Sequence, residues 1–179
     1  LKQYETDNLL AFDNIFRHSK FLSKIDDSDI AILNSVARVF AYKKIDITPA
    51  DYQSSVIFSF QLSNSDRTQP FIRSTPFMFN GLSCYLSDEY DATNTSFRNV
   101  YTYTLSAQGN QVRVQQSVGK LDSLTGIITL TTLKADENTT IDIFVNPSAD
   151  DVPVVRNQIL LIDFNKTTIT GDIDEIIAS

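Results

Sequence analysis

From residue 52 to residue 145 the apolar residues fall at every second position, in one short run after another. In YQSSVIFSFQLS, Val56, Phe58 and Phe60 share one face ahead of the polar turn NSD. In GIITLTTL, Ile128 and Leu130 alternate with threonine, and in TTIDIFVNP, Ile141, Ile143 and Val145 alternate against Asp142 and Phe144. Period two is the spacing of side chains on one side of a pleated strand. The links between runs carry turn chemistry. PFMF-NG-LSCYL predicts a hairpin on Asn80-Gly81, a pair suited to the two positive φ angles of a type I′ turn. VYTYTLSAQ-GN-QVRVQQ predicts a second hairpin, with the same two-residue device at Gly109-Asn110, and Asp122 to Gly126 predicts a further turn. SDEYDATNTS and NPSADDVP read as polar surface loops, and TTIT as a last short strand.

The first third changes period. In TDNLLAFDNIFRHS, Leu9, Phe12 and Phe16 stand at i, i+3 and i+7 with Ile15 alongside, which predicts a helix with Asp7 or Asn8 as N-cap. In IDDSDIAILNS, Asp26, Asp27 or Ser28 is placed to cap a short turn through Ile32 and Leu33. SVARVFAYKKIDI then returns to β-branched and aromatic residues, a strand closed by Pro49. The fold class expected is α+β, mainly β. A short helical lead-in and connecting strand (1–48) precede a β-rich assembly domain of hairpin-rich antiparallel sheets (49–171) and a tail (172–179).

VPVVRNQILLID breaks the alternation. Four consecutive aliphatics, Ile159 to Ile162, make a predicted strand apolar on both faces. Either it is a central strand buried wholly within the monomer, or its second face needs a helix or a partner chain. A permanent interface is apolar, like a core cut in half. Three groups are therefore candidate interface residues: Leu9, Phe12, Ile15 and Phe16 on the first helix; Arg156, Asn157 and Gln158 ahead of the aliphatic run; and Ile173, Ile176 and Ile177 in the tail.

Composition narrows the function classes. Hydrophobic residues make up 42% of the 179 and charged ones 21%, a globular balance. A formal charge of −7 argues against nucleic acid, whose phosphates need clustered Lys and Arg. The adjacent pair Lys43-Lys44 reads as a solvated strand edge. No apolar run approaches the length of a membrane span, and no signal peptide opens the sequence. The chain starts on Leu1, so it is expected to be part of something longer. One cysteine, Cys84, cannot form an internal disulfide and reads as a small buried filler.

Catalytic chemistry is thinly represented. His18 is the only base of the kind that serine and cysteine hydrolases use, and it is expected at the C-terminal end of the first helix, where the dipole favours a cation. One His and one Cys cannot complete a zinc site. The acidic run Asp26 to Asp29 lacks the glycine and distal glutamate of a calcium loop, and helix capping accounts for it better. No Walker loop or GxGxxG occurs. The expectation is a protein without catalytic activity, cofactor, metal or small-molecule substrate.

Several segments in order resemble one family. AFDNIFRHSKFLSKIDDSDIAILNS is similar to the segment after the baseplate-J-like core in the large wedge protein of T-even-like contractile-tailed phages. GKLDSLTGIITL followed by IDIFVNPSADDVPVVRNQILLID is similar to the C-terminal signature of the same family. The resemblance runs over roughly residues 9 to 170, apart from a stretch of about 60 to 110. It implies a structural protein of the virion, assembled in the host cytoplasm into the tail baseplate. Its members pair as homodimers, join neighbouring wedges, contact other wedge proteins and rearrange on sheath contraction. The rival expectation, from the Thr, Asn and Tyr content, is a secreted or virion-surface β-sandwich that binds a glycan or receptor.

Overall fold

The computed structural model describes residues 1–10, 14–29, 32, 35–63, 69–91, 97–153 and 160–170. The alternating runs become strands. Six form one antiparallel sheet in the order β2 (Tyr52–Ile57), β8 (Ile127–Leu133), β7 (Gln111–Asp122), β6 (Phe97–Leu105), β5 (Leu82–Tyr90) and β4 (Phe77–Phe79). A second, three-stranded sheet has the order β1 (Ala41–Ile47), β9 (Thr139–Val145), β3 (Ile72–Ser74). One core draws on both. Ile47, Ile72, Ile141 and Ile143 come from the small sheet, and Val56, Leu86, Val100, Leu121, Ile128 and Leu130 from the large one, all buried. The two inner faces therefore pack as a sandwich, and each such side chain contributes about 1.5–3 kcal/mol by leaving water. The mainly β, α+β class expected from the sequence is the class observed.

Two glycines permit this packing. Gly81 (φ 70°) follows Asn80 (φ 52°), so the β4–β5 hairpin turns on two positive φ angles, as Asn-Gly predicts. Gly119 in β7 lies so close to β8 that a Cβ there would sit 2.2 Å from the Thr129 carbonyl oxygen. Cys84 is buried in the core, as expected of a filler.

Several elements depart from expectation. The second hairpin does not turn on Gly109-Asn110. Ser106 N–H donates to the Asn110 carbonyl (2.9 Å), Gly109 N–H donates to the Ser106 carbonyl (2.9 Å), and of this pair only Gly109 has positive φ (79°). This is a three-residue loop over Ala107 to Gly109, with glycine at the left-handed position. The start of SDEYDATNTS is not a surface loop. Ser87 to Tyr90 continue β5, with Ser87 and Asp88 buried; a charge hid the alternation Cys84, Leu86, Asp88.

The helices are displaced. α1 (Lys2–Asn8) precedes the expected position and α2 (His18–Asp26) follows it. Asn8 does not start a helix; its side-chain N–H donates back to the Tyr4 carbonyl (2.9 Å) at the end of α1. Phe16 between the helices is extended and exchanges two backbone hydrogen bonds with Val152, each 3.0 Å. Asp26 and Asp27 close α2 instead of opening a turn, and the Ser28 hydroxyl donates to the Ile25 carbonyl (2.6 Å). Among the described residues of the two last predicted strands, 160–163 and 167–170 form no strand.

Candidate assembly interface

A second, smaller apolar cluster lies outside the sandwich core. Tyr4, Leu9, Phe16 and Val152 are buried in it, with Phe21, Val39, Phe60, Leu160 and Ile162 packed around them. The rings meet edge to face: Tyr4 and Phe16 at 5.9 Å and 70°, Tyr4 and Phe21 at 5.2 Å and 77°. That geometry adds to simple burial. The Tyr4 hydroxyl, whose proton is held more tightly because it is buried, donates to the Arg17 carbonyl (3.0 Å). So α1, the Phe16 segment, α2 and the segment around Val152 form one unit, made from both ends of the described chain.

Asp151 completes this unit electrostatically. α2 has no side-chain cap of its own at Arg17. Instead Asp151 Oδ1 accepts from the His18 backbone N–H (2.9 Å), and its Oδ2 lies 3.3 Å from the Arg17 guanidinium. A carboxylate at a helix N-terminus opposes the dipole and satisfies an orphan donor. His18 therefore stands at the start of a helix, not at the end, and its ring Nε2 lies 3.0 Å from the Ala37 carbonyl.

The candidate interface residues separate in three ways. Leu9 (1% exposed) and Phe16 (7%) face the inside of the small cluster. Ile15 (39% exposed) lies at the surface, beside Asn14, Arg17 and Lys20 in a shallow depression of about 370 Å³. Phe12, the trio Arg156, Asn157 and Gln158, and the tail residues Ile173, Ile176 and Ile177 lie outside the described residues. The segments that supply the small cluster also carry exposed apolar side chains: Leu10, Val36 (85%) and Phe40 in the N-terminal part, Leu161 (70%) and Ile169 in the C-terminal part. Of the run that motivated the interface reading, Leu160 and Ile162 pack inward while Leu161 points to water.

Residues 160–170 run as a strap without regular structure, tied down by side chains. The Ile162 N–H donates to Glu5 (2.7 Å), the Tyr42 hydroxyl to Asp163 (2.5 Å), and the Lys166 ammonium to Asp142 (2.7 Å). The hydrogen bond to Asp163 pushes the Tyr42 hydroxyl up to about 12, and holds the Asp163 carboxyl below its ordinary range. The strap thus joins α1 to the small sheet.

The large sheet has a polar centre of its own, which the sequence reading passed over. Asp88 and Arg98 form a buried ion pair. The Asp88 carboxylate also accepts from the Phe71 and Ile72 backbone N–H groups, both at 2.7 Å, while the guanidinium stacks 4.1 Å from the Phe71 ring centroid. Burial pushes the Asp88 carboxyl up, against the pull of Arg98 and the two amides. Nearby, Tyr85 stacks on Tyr103 (5.5 Å, 26°), and Arg113 lies over Tyr101 (3.9 Å) and pairs with Glu89. Among the described residues no group of three or more His, Cys, Asp or Glu is placed to hold a metal ion, and no helix is long and apolar enough to cross a membrane.

Residues 1–44 match the family model described as "Baseplate structural protein gp6, C-terminal domain III". The matched stretch begins with α1, includes the Phe16 segment and α2, and ends inside β1. It therefore carries most of the small apolar cluster and the exposed side chains Leu10, Ile15, Val36 and Phe40. The similarity supports a structural part in a phage tail baseplate. No curated protein matches the chain.

Proposed function

We propose that this chain is a structural subunit of a phage tail baseplate wedge, which pairs with a second copy of itself and helps to join neighbouring wedges. In this reading it is the C-terminal part of a large, baseplate-J-like wedge protein of a contractile-tailed phage, and it catalyses no reaction. The observation that carries the structural baseplate role in this reading is the family match over residues 1–44; the pairing, the wedge joining and the baseplate-J-like assignment come from the sequence resemblance. The described surface of that stretch supports it: Tyr4, Leu9 and Phe16 are buried in the small cluster, while Leu10, Ile15, Val36 and Phe40 face water. Contiguous exposed apolar area marks association surfaces, and these four side chains are this stretch's candidates for contacts with other baseplate proteins. Light scattering after size exclusion tests the pairing. The expected mass is that of a dimer at high micromolar concentration, and a clean monomer there contradicts it.

A second reading, binding of a glycan, is favoured by the tyrosines Tyr85, Tyr101 and Tyr103 on β5 and β6. Against it, Tyr101 is nearly buried, with Arg113 over its ring, which leaves less aromatic face for a sugar. Reproducible hits on a glycan array, lost in Tyr85→Ala and Tyr103→Ala, favour this second reading over the first.

A further inference from the structure

The strand edges of the sandwich are not equally protected. An edge strand offers unpaired N–H and C=O groups, and proteins usually guard it with charge, proline, shortness or a cover. β1 carries Lys43, Lys44 and Asp46. β3 has three residues and leans on β5, with the Ser74 hydroxyl accepting from the Leu86 N–H (2.8 Å) and Asp88 taking the Phe71 and Ile72 amides. β4 also has three residues, and its Met78 carbonyl accepts from the Asp136 N–H (2.8 Å), while the Asp136 carboxylate takes the Asn80 and Gly81 amides.

Among the described residues, β2 has none of these guards. It is six residues long, YQSSVI, with no charge and no proline. It is an end strand whose hydrogen-bonded neighbour is β8. Gln53, Ser54, Ser55 and Ile57 are exposed. The backbone direction follows from the register. Phe58 N–H donates to the Gly126 carbonyl (2.9 Å), and the pairs Val56 with Ile128 and Ser54 with Leu130 continue that register in steps of two. Backbone groups alternate in direction along a strand, so those of Ser55 and Ile57 point away from β8.

We infer that the free edge of β2 is the surface on which a second copy of this chain docks, by antiparallel strand addition about a two-fold axis. The inference rests on the dimer reading above and names its interface. In an isologous contact each residue meets its counterpart's surroundings, so charges near the axis would meet like charges. Two chains of formal charge −7 repel one another, and β2 is a neutral place to meet. The acidic residue at its start, Asp51, is already paired with Lys134 (3.2 Å). With the axis at Ser55, Gln53 lies opposite Ile57 of the partner, and the two large sheets become one continuous sheet.

The test uses Ser55→Pro and Ser55→Lys in the intact chain. Proline at 55 deletes an outward N–H and leaves the β8 ladder in place; lysine sets two like charges across the axis. Both are expected to keep the wild-type circular dichroism and to lower the light-scattering mass from dimer to monomer, while Ile15→Asp remains a dimer. Hydrogen exchange of wild type supplies a readout without substitution: the outward amides of Ser55 and Ile57 are expected to be protected in concentrated samples and to lose that protection on dilution to monomer, while those of Ser54 and Val56 stay protected by β8. A dimer that persists in both Ser55 variants, or unchanged exchange at Ser55 and Ile57, overturns the edge inference and leaves the dimer reading standing. A wild-type chain that stays monomeric at high micromolar concentration overturns both.

Discussion

Replacing Arg98 by Met isolates the cost of the buried charge. The Asp88 side chain is wholly inaccessible to water and that of Arg98 is 9% exposed. Methionine keeps much of the apolar stem and its contact with Phe71, but removes the only opposite charge that Asp88 touches among the described residues. The two amides at 2.7 Å still hold the carboxylate, so the loss is less than complete desolvation would give. Breaking one partner of a buried pair costs about 3–5 kcal/mol, which at about 2–4 °C per kcal/mol for a chain of this size is a fall of roughly 6–20 °C in Tm. The sign of the pH dependence also follows. Burial already raises the Asp88 carboxyl, and Arg98 is the main force opposing that rise. Without Arg98 the folded chain holds the Asp88 proton still more tightly than the unfolded chain, so stability falls as pH rises and the penalty shrinks on acidification. Urea unfolding of wild type and Arg98→Met at pH 7 and pH 5 checks both statements. As a control, Arg113→Met breaks a half-exposed pair with Glu89 and is expected to cost under about 1 kcal/mol. An Arg98→Met penalty below about 1 kcal/mol, or one equally large at pH 5, would refute the reasoning.

Three further outcomes follow from the packing. Gly119→Ala places a Cβ 2.2 Å from the Thr129 carbonyl oxygen, so β7 and β8 must separate; a loss of about 1–3 kcal/mol, the usual range for overpacking, is expected in urea unfolding. Leu9→Ala empties a buried position and is expected to cost about 2–4 kcal/mol, whereas Ile15→Ala at the surface changes stability by less than about 0.5 kcal/mol; thermal unfolding followed by circular dichroism separates the two. A tyrosinate absorbance titration is expected to show one hydroxyl ionising near pH 12, lost in Asp163→Ala. Because the Tyr42 hydroxyl is raised in the folded chain, its tie to the strap holds below about pH 10, the unfolded tyrosine value, and is lost as pH rises through about 12.

The strands were legible where burial alone decides the pattern. Ile141, Ile143 and Val145 alternate because one face of β9 meets the core, and Asn80-Gly81 announces its turn because few other pairs accept both φ angles. What was not legible depends on partners distant in sequence. Leu9, Phe12 and Phe16 have helical spacing, yet Phe16 pairs as a strand with Val152, a contact no local window contains. Asn8 and Asp27 have cap chemistry, but chemistry alone does not say which helix end they close. Asp88 looked like a loop residue because a charge inside a strand makes sense only with Arg98 and the Phe71 and Ile72 amides. The interface reading of Ile159 to Ile162 met a similar limit: Leu160 and Ile162 serve the small cluster, and Leu161 faces outward.

The proposed role in a baseplate is tested most directly by locating the chain in a virion. Immunogold labelling of intact and tail-purified particles, with antibodies raised against this chain, is expected to mark the distal end of the tail in a ring. Label confined to the head, to separate fibres or to the soluble lysate, with none on the tail end, would contradict the account.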